Sequence, residues 1–112
     1  AMFRKYVRED FILEFLPILD HFNEAIKHMP KNENQSEWIK GVVAIKTQLE
    51  GILKNHGVQE IKTVGEKFDP EFHESVEAIE SDKESGIILE ESRKGYILNE
   101  KVIRAAKVKV AK

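Results

Sequence analysis

Apolar residues in the first half of the chain recur at alternating steps of three and four. Ile12, Phe15, Leu19, Phe22, Ile26 and Met29 form one series; Trp38, Val42, Ile45, Leu49, Ile52 and the amphipathic His56 form a second. Such spacing is a heptad seam, buried when helices pack side by side at a shallow angle. Pro30 and the run Lys31 to Ser36 separate the two series and supply a turn, so the spacing predicts a helical hairpin. Asn34, with Glu37 three residues later, or Ser36 itself offers the second helix its N-cap. Gly57 stands where a left-handed C-cap belongs, with Lys54 and His56 near the negative end of the helix dipole.

Pro17 falls inside the first series. It removes a backbone donor and biases Leu16 away from the helix, which predicts a kink or a junction between two helices. Gly41 and Gly51 lie inside the second helix, each costing about 1 kcal/mol relative to alanine. They are either tolerated imperfections or points of close helix approach. Phe11, Leu16, Ile18 and Ala25 widen the first helix's apolar stripe beyond what one partner helix covers. Pairing two copies into a four-helix bundle buries the excess, so a twofold dimer is expected. Coverage by the second half of the chain is the alternative. Ala1-Met2 reads as an artificial start, and Phe3 enters the helical pattern with no cap before it. The chain is therefore expected to begin within a longer helix.

From Val58 onward the period changes. Val58, Ile61 and Val64 suit a strand, and Asp69-Pro70 reads as an N-cap followed by proline at the first position of a short helical turn. Ser75 to Ile79 and Gly86 to Glu90 are strand-like, with the solvated loop Glu80 to Gly86 between them. Lys94-Gly95 marks a bulge or a turn where glycine takes positive φ. Leu98-Asn99-Glu100-Lys101 reads as a hairpin turn. In a last strand, Ile103 to Val110, the side chains of Ala106, Val108 and Val110 share one face and Lys107 and Lys109 the other. Tyr96 is expected to lay its ring on this small sheet with the hydroxyl at the edge, and Phe68 to be a satellite core residue or an exposed contact.

The function classes narrow by chemistry. The 112 residues suit one ordinary domain's worth of core. With no cysteine there is neither a disulfide nor a thiolate metal site, which fits a reducing cytoplasm. No signal peptide and no bilayer-length apolar run is present, so a cytoplasmic protein without membrane contact is expected. His73-Glu74 starts like a zinc-protease helix motif, but Glu77 stands where the second histidine is needed, so no metal site is expected. The acidic residues Glu77, Glu80, Asp82 and Glu84 lack the ligand pattern of a calcium loop. No phosphate loop or activated nucleophile is found, so no enzyme and no cofactor are expected. The net charge of −2 is uneven: residues 93–112 hold seven Lys/Arg against one acid, and the other 92 residues hold eleven basic against nineteen acidic side chains. A basic end suits an acidic partner. Nucleic acid is disfavoured, because Tyr96 is the one aromatic in that segment and the rest of the chain repels phosphate.

With these residues in place the chain closely resembles the GrpE family, the nucleotide-exchange factors of DnaK-type heat-shock chaperones. Leu16-Pro17-Ile18-Leu19-Asp20 is similar to the family's Leu-Pro-x-x-Asp, and Gly41 matches a bundle-helix glycine. Phe68-Asp69-Pro70 with His73, the spacing to Gly95-Tyr96, and Ile103-Arg104-x-Ala106-x-Val108-x-Val110 together resemble the family signature. Ala105 stands where many members carry proline, and Glu100 where the turn is often glycine. Both departures bear on the stiffness of the hairpin. The family's N-terminal region and most of its paired stalk helix are not matched.

The resemblance implies an α+β fold. Residues 1–57 would form a stalk-helix end and a helical hairpin that dimerises as a four-helix bundle. Residues 58–112 would form a β-wing that binds the chaperone. The dimer interface would draw on Ile12, Phe15, Leu19, Phe22, Ile26, Trp38, Val42, Ile45, Leu49 and Ile52. It implies no activity of its own but binding to a DnaK-type ATPase domain, opening of the nucleotide cleft and faster ADP release. By matching positions, Val110 would give an apolar contact and Lys101 and Arg104 charge, while Ser92 and the Phe68-Asp69-Pro70 turn complete the surface. For Arg104 and Val110 a role in holding the wing together stays open. The alternative function is a structural dimerisation module with an inert wing.

Overall fold

The computed structural model describes residues 2–30, 32 and 36–112, with side chains from residue 8 onward within that range. Two compact units make up the chain, Ala1–His56 and Gly57–Lys112.

The first unit is a pair of helices, α1 (Met2–Lys27) and α2 (Glu37–Asn55). Of the two expectations at Pro17, a kink or a junction between helices, the junction is not found: α1 runs through Pro17 as one element. Proline there removes the bond to the Leu13 carbonyl. Pro17 itself is exposed, while Ile12, Leu16 and Leu19 on either side are buried and keep the turns in register. Ser36 occupies the N-cap of α2 in an extended conformation, but its side chain makes no capping hydrogen bond. The alternative cap Asn34 and most of the turn from Lys31 lie outside the described residues. At the other end, Gly57 has φ of 87° just beyond the C-cap His56, as the left-handed stop requires.

Burial in this unit is partial. Ile12, Leu16, Leu19, Ile39 and Leu53 are enclosed. Of the two heptad series, Phe15, Phe22, Ile26, Val42 and Leu49 are half-buried, whereas Trp38, Ile45 and Ile52 are exposed, with Phe11 and Ile18 beside them in that class. Among the described residues an added Cβ on Gly41 or Gly51 meets nothing within 4 Å, so neither glycine serves a close approach between them.

The second unit holds six short strands in two three-stranded sheets. Strands β1 (Val58–Glu60), β4 (Tyr96–Leu98) and β5 (Lys101–Arg104) make an antiparallel sheet in the order β1-β4-β5. Strands β2 (His73–Ile79), β3 (Ile88–Arg93) and β6 (Ala106–Ala111) make the other in the order β2-β6-β3, with β2 parallel and β3 antiparallel to β6. Asn99 and Glu100 form the two-residue turn between β4 and β5 with φ of 48° and 74°. Two left-handed residues in sequence give the I′ geometry that suits the strand twist, even without glycine.

The expected last strand is two strands. Ala105 interrupts it, and its halves belong to different sheets. Gly95 crosses this break so closely that a Cβ there would overlap the Ala106 nitrogen. Glycine is therefore demanded by backbone approach, and Gly95 is not among the positive-φ residues expected of a turn. Ile61, Ile88, Ala106 and Val108 form the core, with Phe68, Phe72, Ile97, Val102 and Val110 packed against it. Burying one valine- or isoleucine-sized side chain is worth about 1.5–3 kcal/mol.

Candidate partner-binding surface

The Phe68-Asp69-Pro70 turn is a hydrogen-bonded unit. Asp69 accepts at Oδ1 from the Glu71 N–H (2.9 Å) and at its carbonyl from the N–H groups of Phe72 (3.0 Å) and His73 (2.8 Å). Pro70 has no N–H to satisfy, so it opens this single helical turn at no cost. The Phe68 N–H donates to the Gly86 carbonyl at 2.8 Å, and its ring leans half-buried on the core. Phe68 is thus a satellite core residue, while Pro70 is exposed.

The other expected contact residues are spread over both sheets. Val110 lies on β6 opposite Ile88 of β3 and Ala78 of β2, half-buried against the same core as Phe68. Ser92 is exposed on β3, and Lys101 is exposed at the start of β5. Arg104 is largely committed to the fold. Its Nε and Nη2 both donate to the Lys94 carbonyl, at 3.0 and 2.6 Å, and its guanidinium lies 5.3 Å from the centre of the Tyr96 ring. That ring is enclosed and its hydroxyl is buried, so the expected edge position of the hydroxyl does not hold. The structure thus gathers Phe68 and Val110 on one core and sets Lys101 and Arg104 on the other sheet.

The basic C-terminal segment does not form an isolated positive surface. Acids from β1, β2 and β3 fold onto it. Lys109 lies between Glu77 (3.6 Å) and Glu90 (3.8 Å), and Lys112 meets Glu80 at 3.7 Å. Lys94 reaches Glu60 of β1 at 3.4 Å and Glu91 of β3 at 3.5 Å, tying the two sheets together. Burial of the Lys94 ammonium disfavours its charge, but these two carboxylates outweigh that and raise its pKa above the ordinary 10.5. Glu91 also accepts from the buried Thr63 hydroxyl at 2.7 Å. Such half-exposed pairs add little stability each, about 0–1 kcal/mol, but they cancel much of the local charge.

Two features escape reading from sequence. The Thr63–Glu91–Lys94–Glu60 cluster joins residues far apart in the chain, and no local spacing signals it. His73 is buried and bonded at both ring nitrogens, and the one local hint is its place four residues after a capping Asp. Among the described residues no His, Cys, Asp and Glu group could hold a metal ion, and no helix is long and apolar enough to cross a membrane.

Comparison with known proteins gives these features a context. The GrpE family model matches residues 1–112. Protein GrpE of Oceanobacillus iheyensis is 44% identical over 110 residues, covering 97% of this chain and 57% of the relative. Protein GrpE of Bacillus licheniformis is 40% identical over 107 residues, 95% of this chain and 55% of the relative. Protein GrpE of Francisella tularensis subsp. mediasiatica is 39% identical over 110 residues, 97% and 56%. The chain spans just over half the length of these relatives. A family match along the whole chain, with an α-helical hairpin followed by a small β unit, establishes that the chain belongs to the GrpE family.

Proposed function

We propose that this chain is an adenine-nucleotide exchange factor. It binds the ATPase domain of a DnaK-type chaperone through the β unit and works as a homodimer joined through the helices. The observation that carries this reading is the family match over residues 1–112. The β unit supports it as a binding body, because its strands close a core while Pro70, Ser92 and Lys101 stay exposed. The apolar residues left exposed on α1 and α2 support the dimer, since water contact costs about 25 cal/mol per Å² of apolar surface.

The mechanism needs no reacting group on this chain. A partner that binds the open form of a nucleotide cleft better than the closed form shifts the population toward the open one. ADP has fewer contacts there and leaves faster. By thermodynamic reciprocity, bound nucleotide weakens the hold of the exchange factor by the same factor. Release of fluorescent ADP from a DnaK-type ATPase domain tests the reading directly. Added chain should speed release, and Lys101→Glu, a change at an exposed position, should weaken the effect while the protein remains dimeric and its β unit folded. Unchanged release with micromolar folded dimer would leave the chain as a structural dimerisation module.

A further inference from the structure

His73 is 6% exposed at the start of β2, with the Phe68 and Phe72 rings centred 5.9 and 6.4 Å from its own. Its two ring nitrogens have different and fixed partners. Nδ1 accepts from the Asp69 N–H at 3.0 Å, and Nε2 lies 2.8 Å from the Lys62 carbonyl, which can only accept. The ring therefore carries its hydrogen on Nε2. Asp69 and His73 bond reciprocally, because the His73 N–H donates back to the Asp69 carbonyl at 2.8 Å. Neither Lys62 nor Asp69 belongs to a strand, so the imidazole supplies bonds that no sheet ladder provides there. One buried ring thus joins the segment before the turn to the turn itself.

We propose that His73 is the positioning residue that presets the Phe68-Asp69-Pro70 turn for its chaperone partner, an inference that rests on the exchange-factor reading above. A surface loop that must be ordered on docking loses affinity to conformational entropy, and one held in advance does not. Every polar backbone group of Asp69 is already satisfied within the turn, two of these bonds directly to His73. The bond between Nδ1 and the Asp69 N–H is the part that acts on the turn. The bond from Nε2 to Lys62 holds the ring.

Two amide variants separate these bonds. In His73→Asn the side-chain oxygen stands near the place of Nδ1 and still accepts from Asp69, whereas in His73→Gln the amide nitrogen stands near Nε2 and still donates to Lys62. Hydrogen exchange at the Asp69 amide should accelerate about tenfold or more in His73→Gln and stay within about threefold of the parent in His73→Asn. Affinity for a nucleotide-free DnaK-type ATPase domain should follow, about tenfold weaker for Gln and within about threefold for Asn. Equal losses in both variants, parental affinity in His73→Gln, or loss of the β-unit fold in His73→Gln overturns the assignment. If the parent chain itself fails to bind the ATPase domain, the exchange-factor reading falls, and the Asp69 exchange rates still decide what His73 holds.

Discussion

Ile88, Ala106 and Val108 in the β unit keep at most 1% of their surface in water, whereas Trp38 and Phe11 on the helices keep 62% and 64%. Both units contain ample apolar residues, so composition does not explain the contrast. Topology does. Six strands in two small sheets can enclose a core on their own, while two helices bury one stripe and leave the flanks open. A groove of about 550 Å³ between Ile18, Phe22, Ile26, Trp38 and Val42 lies in that open part. The β unit therefore encloses its own core, while the helical unit leaves apolar flanks exposed, which we propose a second copy of the chain covers.

The contrast can be broken most sharply from the β side. Val108→Asp places a carboxylate at a site with no exposure and no partner, and should cost upward of about 4 kcal/mol. Amide exchange across β2, β3 and β6 should lose its protection. Retained protection would mean that the β core is looser than its packing indicates. The same change at Ile45, which is half exposed, should cost the single chain less than about 1 kcal/mol, since surface substitutions rarely cost more. Its effect should instead appear in sedimentation, with the mass falling to that of one chain, and a persistent dimer would show that this face is not the interface. The smallest effect is expected from Gly41→Ala, which should raise the melting temperature through a gain of about 1 kcal/mol because the added methyl meets nothing among the described residues. A loss at that position would reveal a neighbouring helix that comes close only in the assembly.

Local signals carried the sequence a long way in some places and failed in others for definite reasons. The hairpin turn at Asn99-Glu100 and the helix stop at Gly57 were legible because two or three adjacent residues decide them. The Phe68-Asp69-Pro70 turn was legible for the same reason. Ile103 to Val110 alternates without interruption in sequence, yet the chain changes sheets at Ala105, because the crossing of Gly95 is a contact between distant segments. The parallel pairing of β2 with β6 was equally hidden. Pro17 misled in the opposite sense. A local rule allowed a junction between two helices there, and buried neighbours on the adjoining turns keep α1 a single element. On the candidate surface the basic residues were legible along the chain, but not their acidic partners, which arrive only through folding.

The position of β6 carries a consequence for how the protein is made. Strands β2 and β3 flank it and do not pair with each other, so neither has a sheet to join until β6 arrives between them. During synthesis the ribosome must release the chain as far as Ala111 before that sheet can exist. The helices, built from near neighbours in sequence, can form much earlier. Each nascent chain thus passes through an interval with its helices out and its β unit unformed, when the acidic strand β2, Val76 included, waits in solution for β6 to emerge.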